Sequence, residues 1–96
     1  MEKVDRGIIW AARASQLNGL CDRARSVAQY AAGDFTSWEW TADVLDAAQR
    51  LVDTLTPLAE RAEKNARKHG IAVGKGCAQH CAKDIAMLRE GWRERA

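Results

Sequence analysis

Apolar residues recur along this chain at alternating steps of three and four, the spacing of one face of an α-helix. In the first third, Trp10, Ala14, Leu17, Cys21, Ala24, Ala28 and Ala31 keep that rhythm, and Leu20 and Val27 widen the stripe. The pattern predicts a helix from about Glu2 to Ala32, with Gly33 as its natural end. Asn18-Gly19 sits inside it. A glycine there costs about 1 kcal/mol relative to alanine, which makes Gly19 a candidate kink or break.

The next helix has the clearest start. Thr36 is placed to cap it, Glu39 three residues on completes a capping box, and Phe35 with Trp40 has the spacing of a hydrophobic staple. Ala48, Val52, Leu55, Ala59, Ala62 and Ala66 then form a heptad-like seam flanked by Leu45, Leu51 and Leu58. Pro57 falls within it. It either kinks one long helix or stands first in a new one capped by Thr56. The seam keeps its phase across the proline and no loop residues surround it, so a kinked continuous helix is expected. Arg67, Lys68 and His69 followed by Gly70 read as its stop. A last helix, from about Gly76 to Arg95, carries Cys77, Cys81, Ile85, Leu88 and Trp92 on one face. No segment alternates as a strand would. The expected fold is all-α: one domain over residues 1–96, with three main helices, or up to five if Gly19 and Pro57 break them.

Composition agrees with that class. Ninety-six residues make one domain, and eighteen alanines with a single proline belong to closely approaching helices. Four tryptophans are many for this size. They either fill gaps that alanine leaves in the core or anchor a partner. The seam is longer than one small domain needs, which predicts a homodimer. Three cysteines, an N-terminus charged where an apolar leader would lie, and no apolar run near 18 residues predict a cytoplasmic chain with reduced thiols and no membrane span.

The net charge of +2 is too small to imply nucleic acid. Its distribution is uneven. Residues 34–56 hold Asp34, Glu39, Asp43, Asp46 and Asp53 against Arg50, a net −4; residues 57–76 hold Arg61, Lys64, Arg67, Lys68 and Lys75 against Glu60 and Glu63, a net +3.

The richest chemistry is concentrated in residues 69–81, His-Gly-Ile-Ala-Val-Gly-Lys-Gly-Cys-Ala-Gln-His-Cys. A phosphate loop is a poor fit: the Gly70–Lys75 spacing is one residue short, Gly76 stands where a hydroxyl is needed, and a helix precedes it. Cys77, His80 and Cys81 share a helix face, with His69, Cys21 or an acidic residue as a further ligand, but the paired zinc spacings are absent and both cysteines fall on the apolar stripe. A thiol beside His80 lacks an orienting third group and a cleft, so an enzyme is not expected. Ala66, Gly70 and Val73 fit the turn of a helix-turn-helix, and Arg61, Lys64 and Lys68 make a basic stripe; Gly76 and Gln79 then stand where a recognition helix buries apolar residues. The stretch reads best as a connector, with Ile71 and Val73 tucked onto the core.

Beyond the first third, the chain resembles small helical anti-CRISPR proteins of phages, in particular one directed at type I-E systems. The likeness lies in Asp53-Thr54-Leu55-Thr56 leading to Arg67-Lys68-His69-Gly70-Ile71. It continues with Gly76 six residues after Gly70, then Lys83-Asp84-Ile85, Met87, Leu88, Arg89 and Trp92. Extra residues stand around Cys77 to His80, and the N-terminal third does not match. The resemblance implies an all-helical, dimeric inhibitor that blocks a CRISPR effector or its nuclease by contact. The residues themselves point the same way: no catalytic set, no cofactor loop, a helical scaffold with polarised charge and surplus tryptophan. Protein binding is therefore the expected function, with Trp38, Glu39, Asp43 and Asp46 as candidate partner contacts. A small DNA-binding regulator using Arg61, Lys64 and Lys68 is the alternative.

Overall fold

A computed structural model describes residues 3–33 and 38–95. Among them the chain forms three helices and no strand: α1 (Lys3–Ala32), α2 (Trp38–Lys68) and α3 (Cys77–Arg95). The all-α expectation holds, with the smaller number of helices. Gly19 is accommodated within α1, and Pro57 within a continuous α2. Pro57 lies on an exposed side of α2, where the carbonyl it leaves without a donor can turn to water. In the preceding turn, the Thr54 and Thr56 hydroxyls donate to the carbonyls of Arg50 and Val52, at 2.8 and 2.6 Å. The cap at Thr36 and the Phe35 half of the staple lie outside the described residues.

The helix ends follow their glycines. The Gly33 amide closes α1 onto the Gln29 and Tyr30 carbonyls. At the end of α2, Gly70 takes a φ of 86°. Its amide donates to Arg67 O and the Ile71 amide to Ala66 O, both at 3.0 Å. This pair of bonds is a Schellman motif, which needs a left-handed residue where Gly70 stands. The motif turns Ile71 back toward the start of α1. There Gly7 leaves room: a Cβ on Gly7 would stand 2.6 Å from Ile71 Cγ1 and 3.0 Å from His69 Cβ.

That contact makes α1 and α2 antiparallel. α3 runs back along α2, with Gln79 donating to Glu60 near its start and Arg89 paired with Asp46 farther on. Arg25 of α1 meets Asp84 of α3 at 3.1 Å. Between the three helices lies a core of small residues around a few larger ones: Cys21, Ala24, Ala28 and Ala32 from α1; Leu45, Ala48, Val52 and Ala59 from α2; Ala78, Cys81 and Ile85 from α3. Leu17, Leu55, Leu88 and Trp92 close its edges.

The molecule is long and thin, 53 × 16 × 16 Å. Its radius of gyration is 15.9 Å, against about 12.5 Å for a compact domain of this length. Helices of about thirty residues are ~45 Å long, whereas α3 reaches only ~28 Å. α3 packs on one side of the α1–α2 pair, and the other side is bordered by α1 and α2 residues alone.

Bareness on one side splits the predicted stripes. The α2 seam is buried, apart from the half-buried Leu55. Of its flanking leucines, Leu45 is 1% exposed, whereas Leu51 and Leu58 are 46% and 48% exposed. Leu20 and Val27, which widen the α1 stripe, are likewise on the open side. In α3 the buried stripe starts at Ala78 and not at Cys77, because Cys77, in the first turn, overhangs a cleft beside α1.

Candidate functional site

Nine large apolar side chains are exposed among the described residues. Six fall in two matching rows. In α1, Ile9, Leu20 and Val27 are eleven and seven residues apart; in α2, Trp40, Leu51 and Leu58 repeat the same steps. Eleven and seven residues are close to three and two helical turns, so each row stays in phase over about 27 Å. Leu20, Val27, Leu51 and Leu58 border a trough made of two concavities, about 340 and 380 Å³, that share Leu20; Ile9 and Trp40 continue the rows beyond its walls. One is walled by Ala24, Val27, Val44, Ala47, Ala48 and Leu51; the other includes Trp10, Leu17, Leu58 and Ala62. An apolar surface this continuous exceeds the scattered hydrophobes of an ordinary monomer surface.

The tryptophans settle toward that face more than toward the core. None of those whose side chains are described is fully buried. Trp10 lies half-buried in the trough, with the Arg13 guanidinium 4.6 Å from its ring centroid, a cation–π contact. Trp40 is 45% exposed. Trp92 packs half-buried at the far end of α3.

The acidic candidates separate. Glu39 and Asp43 are exposed near the start of α2. Asp46, on the same helix face and with its side chain about half exposed, accepts from Arg89 of α3 and from Arg50, each at 3.3 Å. It helps hold α3 against α2, and its partner stands 43 residues on, beyond the reach of local sequence reasoning. The Trp38 side chain lies outside what is described. Sequence reasoning missed the trough itself. Its signal was the width of the apolar stripe: Leu20, Val27, Leu51 and Leu58 give each long helix a wider arc than one neighbour covers.

Arg61, Lys64 and Lys68 are all exposed on α2. Glu63, expected among them on the surface, is only 2% exposed and accepts a hydrogen bond from Asn18 at 3.3 Å. The connector after α2 occupies residues 69–76. It is twice the three or four residues of a helix-turn-helix turn. Its Ile71 and Val73 are half-buried, as a connector tucked onto the core requires.

The cysteine-rich stretch lines a separate cleft of about 420 Å³ between α1 and the start of α3, with Asp22, Arg25, Lys75, Cys77, His80 and Cys81 in its wall. Its chemistry is muted. Burial pushes the Cys21 thiol up, with the neighbouring Cys81 and Asp22 adding to the effect. Burial also raises Cys81, against the opposing pull of Arg25. Both stay protonated at neutral pH, which makes them poor nucleophiles and poor metal ligands. His69 donates through Nδ1 to the Asn65 carbonyl at 2.8 Å, a helix-end bond. Among the described residues, no three His, Cys, Asp or Glu side chains are grouped to hold a metal ion. No described helix is long and apolar enough to cross a membrane.

Comparison with protein families, with curated proteins and with solved structures returns no match.

Proposed function

We propose that this protein is a non-catalytic binding module that works by seating a partner protein on the uncovered α1–α2 face. The observation that carries this reading is the exposed apolar trough bordered by Leu20, Val27, Leu51 and Leu58, whose two rows Ile9 and Trp40 continue in phase beyond its walls. Aromatic and aliphatic anchors in such a trough are the usual source of affinity at protein interfaces. Glu39 and Asp43, exposed near Trp40 and outside the walls of the trough, serve as outlying polar contacts, and Asp46 is tied to Arg89.

The partner class to test first comes from the resemblance to anti-CRISPR proteins: a CRISPR effector complex or its nuclease in the cytoplasm of a bacterial host. The experiment is a phage-plating assay in cells with an active type I-E system, with the chain expressed in parent form and as a Leu20→Asp/Leu51→Asp variant. The reading expects the parent to restore plating by at least ten-fold and the variant to lose that effect while staying folded. Unchanged plating with the parent removes the CRISPR target. A variant as active as the parent removes the face.

The second reading is a DNA-binding regulator, and the observation in its favour is the inward turn of Glu63, which leaves Arg61, Lys64 and Lys68 as a basic stripe. It expects a salt-dependent mobility shift with random duplex DNA. Absence of a shift at low salt eliminates it.

A further inference from the structure

We infer that the occupant of the α1–α2 trough is an amphipathic helix of about five turns whose flanks are acidic. This rests on the reading of the trough as a docking face, and it adds the shape and charge of what docks. Shape comes from the fold itself. On the covered side the same two helices receive α3, which presents Cys81, Ile85, Leu88 and Trp92 at steps of four, three and four. The open trough offers a second groove between the same pair of helices. Its walls extend from Trp10 to Val27 on α1 and from Val44 to Ala62 on α2, 17 and 18 residues. That span, about 27 Å, matches a five-turn helix with a leucine-type stripe.

Charge comes from the lining. Among the described residues, the charged side chains in the walls of the two concavities are Arg13, Arg23 and Arg61, with no carboxylate beside them. No ion pair among the described residues holds any of the three. They are placed at both rims, Arg13 and Arg23 on α1 and Arg61 on α2. An incoming helix with glutamates or aspartates beside its apolar stripe meets a guanidinium on each side. Electrostatic matching of this sort sets which partner is accepted more than it sets total affinity.

The test uses two labelled 18-residue synthetic peptides with one identical leucine stripe at i, i+3, i+4 and i+7. One has glutamate flanks and the other lysine flanks. Fluorescence anisotropy is read against the full chain at low salt. The expected result is binding of the glutamate peptide at least ten-fold tighter than the lysine peptide. That preference shrinks several-fold when salt rises from about 0.05 to 0.5 M, where the screening length falls from over 10 Å to a few ångströms. In an Arg13→Glu/Arg23→Glu/Arg61→Glu variant with unchanged circular dichroism the preference inverts; should that variant fail to fold, Arg23→Glu alone reduces it. Equal binding of both peptides overturns the acidic partner and leaves the docking face standing. Binding of neither overturns both. A concentration-dependent dimer that excludes the peptides identifies the occupant as a second copy and overturns the proposal, as does displacement of the peptide by duplex DNA.

Discussion

The two sides of the α1–α2 pair are made of the same letters and end in opposite states. On one side Leu45 and Val52 are sealed under α3, with Ile85 seated against them in the core. On the other, Leu51 and Leu58 from the same helix stand about half in water beside Leu20 and Val27. The covered side is pinned by directional contacts as well: Arg25 to Asp84, Arg89 to Asp46, Gln79 to Glu60. The open side has apolar surface and arginines with nothing seated on them among the described residues. The difference teaches that hydrophobic residues in this chain do two jobs. Those beneath α3 hold the fold; those facing away are the ones we propose for a partner.

The largest expected effect breaks the covered side. Ile85→Ala removes a fully buried side chain from the middle of α3. It should lower stability by about 2–5 kcal/mol, the range for such truncations, read as the shift in a urea midpoint. Leu51→Ala on the open side should cost about 1 kcal/mol or less. Equal losses would mean that both sides are covered in solution.

Smaller effects come from three glycines, of which only Gly7 packs against the connector. Gly7→Ala must push a methyl group to within 2.6 Å of Ile71 and 3.2 Å of the His69 carbonyl. It should destabilise by about 1–3 kcal/mol, despite alanine's better helix propensity. Gly19→Ala and Gly91→Ala meet nothing within 4 Å. Each should stabilise by up to about 1 kcal/mol. Thermal melts of the three variants check the signs.

The smallest effect is in the thiols. Cys21 and Cys81 titrate above the ordinary 9.0 when folded, because burial disfavours the thiolate. The native state therefore keeps protons that the unfolded chain gives up. The stability that these two thiols contribute is intact below the ordinary value and declines as pH rises through it toward their folded values. Urea midpoints from pH 7 to 10 should fall at the alkaline end, and less so in a Cys21→Ala/Cys81→Ala variant. Iodoacetamide on the native protein should label the exposed Cys77 first, with Cys21 and Cys81 slow.

Much of the fold was legible because helices write their own periodicity. The stripe through Ala14, Cys21, Ala24 and Ala28, the seam through Val52, Ala59 and Ala66, and the stops at Gly33 and Gly70 all lie where three- and four-residue steps put them. The continuity of α2 through Pro57 was legible from the unbroken phase of that seam. What periodicity does not say is which flank of a stripe a third helix will take. Leu45, Leu51 and Leu58 are identical letters flanking one seam, but Leu45 stands about a third of a turn around α2 from the other two, on the flank that α3 takes. The candidate site was less legible for the same reason. Asp46 was chosen for its charge, and its tie to Arg89 depends on how α3 folds back. Cys77, read as the first residue of a buried stripe, was displaced by Ala78 through the angle at which α3 starts. The trough could have been found from the apolar arc of each long helix, which is too wide for a single neighbour.

The division of labour between the two sides is tested most directly by the thermal melt of the Leu20→Asp/Leu51→Asp variant at micromolar concentration. Two exposed substitutions on an open face should leave a cooperative transition within about 8 °C of the parent. Loss of that transition would show that the face is already buried in the native protein, and would contradict its assignment as a free docking surface.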